Sequence, residues 1–137
     1  DNGVSDASKL AAEKPDLVII AYGMNDSGGS SPETYASNIK KIMNKILETS
    51  PDAEFILVAS MLPNAEWHYP NMERFPAYRD ALSKLCGKGV VLADMTSVWA
   101  ELLKRKSFHD ITGNGVNHPN DFGHRVYAQV ILGLFKP

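Results

Sequence analysis

Three short apolar runs, residues 17–22, 55–59 and 90–93, recur about 36 residues apart, and each stops at a small or polar residue. Continuous apolar runs of this length read as strands buried on both faces. Between them the apolar residues switch to helical spacing. Strands that alternate with helices pair in parallel, because each crossover needs a dozen or more residues and a helix supplies them. Right-handed crossovers then lay the helices over both faces of the sheet. The chain therefore reads as α/β, a parallel sheet between helices. Three strands make a small sheet for such an architecture.

The intervening segments can be placed in order. Residues 1–14 read as a helix with Ala7, Leu10 and Ala11 as its apolar side, broken by Pro15-Asp16. Ser31-Pro32 is a helix start, a capping residue followed by proline in the first turn. Tyr35, Ile39, Ile42, Met43, Ile46 and Leu47 then recur at helical spacing, with Lys40, Lys41 and Lys45 mostly opposite. A helix over 76–86 carries Tyr78, Ala81, Leu82 and Leu85, closed by Gly87 as a C′ residue. A short helix over 97–104 turns Val98, Trp99, Leu102 and Leu103 inward. A loop spans 107–118, and Phe122, Val126, Val130, Ile131 and Leu134 mark a last helix that Asp121 caps.

Charge and cysteine use exclude several classes. A net charge of −2 over 137 residues gives no electrostatic reason to expect nucleic acid as partner. The one basic cluster, Lys104-Arg105-Lys106, sits where a helix ends and complements its dipole. No apolar run approaches the roughly 18 residues of a membrane span. Cys86 is the only cysteine, which rules out an internal disulfide and a multi-thiolate zinc site, and it reads as a core thiol.

Two segments carry groups suited to chemistry. Gly23-Met24-Asn25-Asp26 follows the first strand, where open α/β sheets bind ligands. Asn offers a neutral donor to a developing oxyanion, and Gly23 permits close approach or a positive φ. His118-Pro119-Asn120-Asp121-Phe122-Gly123-His124 precedes and opens the last helix, and a histidine there can reach over the strand ends as general base. Each alone is weak: Asn-Asp after a strand is commonly a turn, and a loop histidine is commonly structural. Together, in this order and with two βα units between, they resemble the SGNH hydrolases, the GDSL-type esterases and lipases. The first matches that family's Gly-x-Asn-Asp block, and the second its block around the catalytic histidine.

The resemblance covers nearly the whole chain and implies a flavodoxin-like three-layer α/β/α fold over a single domain, residues 1–137. It implies a serine ester hydrolase without a cofactor or metal, acting through an acyl-serine with Asn25 in the oxyanion hole, Gly23 in the same catalytic block and His118 as general base; the family's second block, which adds a glycine N–H to the oxyanion hole, is not recognisable here. Two departures stand beside it. The chain has no Gly-Asp-Ser nucleophile block, so it is expected to start inside the family's domain, lacking the first strands. Ser27 lies near Asn25, but nothing in the pattern puts it at the nucleophile's position. The family's acid, three residues before the histidine, is replaced by Gly115; Asp110 is the substitute from the same loop, or a backbone carbonyl orients the imidazole.

The substrate is expected to be a small-molecule or glycan ester. Asp26, Trp67 and His68 are candidate substrate contacts, the Trp67-His68-Tyr69 loop suiting a carbohydrate acetyl ester better than a long acyl chain. A competing reading is a glycan-binding module on the same scaffold. A metal-dependent hydrolase using His109, Asp110, His118 and His124 is a third, and its spacing matches no common zinc motif. Without earlier strands, the first strand would offer an open edge, which invites self-association.

Overall fold

The structure, a computed structural model, describes residues 2–135. Three strands, β1 (Leu17–Ile20), β2 (Glu54–Ala59) and β3 (Val90–Asp94), form one parallel sheet in the order β1-β2-β3. Leu17 pairs with Glu54 and Phe55 with Val90, so the three apolar runs lie level with one another.

Alternate residues of β2 feed two cores, as the two-residue period of a strand requires. Phe55, Leu57 and Ala59 pack with α1 (Asn2–Ala12), α2 (Pro32–Leu47) and α3 (Arg74–Ser83). Ile56 and Val58 pack on the other face with α4 (Met95–Leu103), the single-turn α5 (Phe108–Ile111) and α6 (Asp121–Gly133). Helix α2 forms as its sequence dictates. The Ser31 hydroxyl accepts the Thr34 N–H at 3.2 Å, Pro32 opens the first turn, and Tyr35, Ile39, Ile42, Met43 and Ile46 are buried. Each such aliphatic side chain contributes roughly 1.5–3 kcal/mol on burial.

Several expectations need correcting. Leu10 is exposed on the side of α1 that lies beyond the edge strand β1, whose Val18 and Ile20 pack with Ala7 and Ala11, while Leu17 and Ile19 are exposed on the other face of that strand. The first strand stops at Ile20, and Tyr22 turns outward. Helix α3 runs over Arg74–Ser83, ending before Leu85 and Cys86. Gly87 therefore does not cap it but pairs with Val90 in a tight turn whose left-handed residue is Gly89 at φ +75°. Cys86 is only half-buried and donates weakly to the Leu82 carbonyl. Helix α4 begins two residues earlier than expected, because the Asp94 carboxylate accepts the Ser97 N–H at 2.9 Å. On α6 the cap is Asn120, whose side chain accepts the Gly123 N–H at 3.0 Å, and not Asp121. Phe122 and Leu134 face out, the former under the Lys106 ammonium, while Gly123, Val126, Tyr127, Val130 and Ile131 face the core.

Candidate active site

The segment after β1 is a tightly braced loop. Gly23 sits at φ +119°, a conformation that excludes side chains, and a Cβ there would press on the Tyr35 hydroxyl at 3.3 Å. Beneath it Tyr35 and Tyr78 stack with centroids 4.3 Å apart. The Tyr35 hydroxyl donates to the Tyr22 carbonyl at 3.1 Å, and the Tyr78 hydroxyl lies 2.9 Å from the Asp26 carbonyl and 2.6 Å from that of Ser30. Burial pushes both phenols above their ordinary range, with the Asp26 charge adding to it, so both keep the proton they donate. Arg74 donates to the Ser27 carbonyl at 3.0 Å, and the Asp26 carboxylate accepts the Gly23 N–H at 3.2 Å.

These contacts sort the residues expected to act. Asp26, expected at the substrate, is half-buried and closes its own loop, and the Gly23 N–H is its donor. Ser27 is fully buried and donates to the Met24 carbonyl at 2.7 Å, the posture of a turn-stabilising serine. Of Asn25, Asp26 and Ser27, only Asn25 is exposed, with the backbone on either side of it held by these bonds.

The second segment is organised by Asn114. Its Oδ1 accepts three backbone N–H groups, of Val116, Asn117 and His118, each at 3.0 Å. The Gly113 N–H donates to the His118 carbonyl at 2.9 Å, and Thr112 bridges to Pro119, so the ends of the loop are stapled. Asn64, in the segment after β2, ties the loop to the sheet: its side-chain amide donates to the Gly115 carbonyl at 2.9 Å and its N–H to that of Val116 at 2.8 Å. Both candidate segments thus sit beyond the carboxyl ends of the strands, and the His118 side chain is exposed there.

The acid position is different. Gly115, at φ +68°, lies against the His109 ring, which a Cβ would meet at 3.2 Å. Asp110 uses its carboxylate to cap α5, accepting the Ser107 N–H at 2.8 Å. The Ser107 hydroxyl and N–H, aided by the charges of Lys106 and His109, hold that carboxyl below its ordinary value. The carbonyl of the same residue accepts from the Asn120 amide at 2.9 Å.

Two openings flank Asn25. A cleft of about 200 Å³ is lined by Ala21, Gly23, Asn25, Val58, Ser60 and Tyr127. A wider groove of about 650 Å³ is lined by Tyr22, Asn25, Gly28, Thr34, Asn38 and Tyr69. Of the expected aromatic contacts, Tyr69 reaches this groove, Trp67 stacks on Tyr69 with centroids 5.4 Å apart, and His68 is exposed. Tyr127 was not foreseen as a lining residue. Its hydroxyl accepts the Met61 N–H at 3.0 Å, and burial raises its pKa against that bond. The helical pattern of α6 marks its core-facing side, and only the docking of that helix brings Tyr127 to the cleft.

The family model for GDSL-like lipases and acylhydrolases matches residues 3–126. The chain belongs to that family. A comparison with curated proteins returns no match. Among solved structures, a carbohydrate esterase family 3 protein from Talaromyces cellulolyticus is 18% identical at a TM-score of 0.71, covering 94% of this chain and 63% of its own. An α/β hydrolase enzyme from the Lake Arreo metagenome is 22% identical at 0.73, covering 95% and 66%. A protein from Parabacteroides merdae, named for its likeness to GDSL lipases, is 19% identical at 0.74, also covering 95% and 66%. At such identities these likenesses establish the α/β fold of this GDSL-family chain. The chain spans 63% to 66% of the length of these structures.

Proposed function

We propose that the chain carries the oxyanion and general-base half of a carboxylic ester hydrolase. The observation behind this reading is Asn25: an exposed amide on a loop whose neighbours are all tied down, standing between two openings at the strand ends. A neutral donor carried on so braced a backbone suits the charge that develops on an ester carbonyl oxygen. In the acyl-serine scheme a serine Oγ attacks the carbonyl carbon while His118 takes its proton. The tetrahedral oxyanion accepts from the Asn25 amide, and collapse expels the alcohol, protonated by His118. Water, giving its proton to His118, then attacks the acyl-serine carbonyl, and collapse releases the carboxylic acid and returns the proton to the serine Oγ. Gly23 contributes its backbone conformation to the loop. The geometry of Asp110 favours the alternative in which a backbone carbonyl orients the imidazole, since its carboxylate already caps α5. The buried Ser27 is not the nucleophile in this reading, which assigns that role to a serine of the Gly-Asp-Ser type.

A carbohydrate ester is the substrate we favour, supported by the name of the Talaromyces structure and by the tyrosines beside Asn25. The test is fluorophosphonate labelling with the modified residue located by mass spectrometry, together with hydrolysis of an acetylated sugar. Where turnover is present, Asn25→Ala is expected to lower kcat about 10²- to 10³-fold, and His118→Ala to abolish labelling. Hydrolysis indifferent to both substitutions refutes the proposal. The wide groove also supports a second reading, a glycan-binding module, which saturable glycan binding without ester cleavage would favour.

A further inference from the structure

The openings beside Asn25 differ in more than size. Tyr22 is 45% exposed and Tyr69 56% exposed, and both line the wide groove. Neither ring is loose. Tyr69 lies on Gly28, where a Cβ would come within 2.9 Å of its ring, and it stacks on Trp67. Tyr22 lies on Gly3, where a Cβ would come within 2.8 Å. Two aromatic faces are therefore held open to water by contact with glycines, which lowers the entropy cost of binding to them. Between them α2 offers the Thr34 hydroxyl and the Asn38 amide. Aromatic surface beside neutral donors and acceptors matches a ring that is apolar on its face and hydroxylated at its rim. Size separates the two openings as well: ligand pockets commonly run from about 300 to 1,000 Å³, which the groove reaches at about 650 Å³ and the cleft, at about 200 Å³, does not.

We propose that the wide groove is a pyranose subsite, with Tyr69 and Tyr22 as stacking faces and Thr34 and Asn38 as hydroxyl partners, and that the narrow cleft takes a short acyl group. The assignment of alcohol and acyl sides rests on the ester hydrolase reading, whereas sugar binding does not.

The test is an NMR titration of the chain with methyl β-D-glucopyranoside and methyl β-D-xylopyranoside, which contain no ester. Saturable shifts at the amides of Gly28, Gly29, Asn38 and Tyr69 are expected, with affinity falling roughly 2- to 12-fold in Tyr69→Ala, the range of one aromatic contact. The variant Asn38→Ala, at a half-buried position on α2, should weaken binding independently of the Tyr69 loop. Absence of saturable shifts overturns the proposal, as do shifts confined to Ser60 and Tyr127, or affinity unchanged in both variants. Because the probes carry no ester bond, sugar binding is read apart from turnover: saturable binding together with acetyl-sugar hydrolysis indifferent to Asn25→Ala and His118→Ala would sink the ester hydrolase reading and leave this subsite standing. Hydrolysis without sugar binding would do the opposite.

Discussion

Gly123 gives the sharpest test of how the His118 segment is held. It lies in the first turn of α6, buried, and a Cβ there would meet Pro119 Cβ at 2.7 Å, Trp99 Cη2 at 2.8 Å and the Ile111 carbonyl oxygen at 2.9 Å. None of these neighbours can swing aside: one is a proline ring, one a backbone carbonyl, and one the tip of an indole that is fully buried. Alanine improves helix propensity over glycine by up to about 1 kcal/mol. Overpacking costs about 1–3 kcal/mol, toward the upper end where every contact is rigid. Gly123→Ala is therefore expected to destabilise by about 1–2 kcal/mol, which lowers Tm by about 4–8 °C for a chain of this size. Gly133→Ala supplies the comparison, since nothing lies within 4 Å of a Cβ there and the same helix should gain or stay level. Urea and thermal unfolding of both variants decide the matter. A Gly123→Ala protein as stable as Gly133→Ala would refute the packing argument. Because Pro119 adjoins His118, the strain in Gly123→Ala should also lower the hydrogen-exchange protection of the His118 amide, which is bonded to Asn114.

Other consequences can be measured separately. Tyr78→Phe removes the donor shared by the Asp26 and Ser30 carbonyls and should cost about 1–2 kcal/mol in urea unfolding; an unchanged midpoint would mean that water replaces the hydroxyl. Asp110 is held below its ordinary 3.8 when folded, so its contribution is complete above that pH and fades as pH falls through the lower folded value. Its NMR titration midpoint should lie below 3.8 and move up in Ser107→Ala, and a midpoint at or above 3.8 in the unsubstituted chain contradicts the cap. Leu17 and Ile19, exposed on one face of the edge strand β1, are expected to drive self-association that Ile19→Lys relieves. Light scattering showing a monodisperse monomer of the unsubstituted chain at high concentration would count against it.

The sequence by itself determined the parallel α/β plan and the order of its elements, because strand and helix periods are local properties. The Ser31 cap, the buried face of α2 and the two motif segments were legible for the same reason, and the motifs carried the family with them. Tertiary structure decided which apolar residues have anything to bury against. Leu10 and Phe122 fit a helical stripe as well as their neighbours do, yet one lies beyond the edge strand and the other meets a lysine. It also decided what each polar side chain is for. Asp26, Ser27, Asp110 and Asn114 are all short polar residues near the two motifs, and sequence spacing cannot tell a side chain that closes its own loop from one left free. Only the packed tyrosines beneath Gly23 and the bonds gathered by Asn114 show that these polar groups hold the scaffold, with Asn25 and His118 left facing solvent.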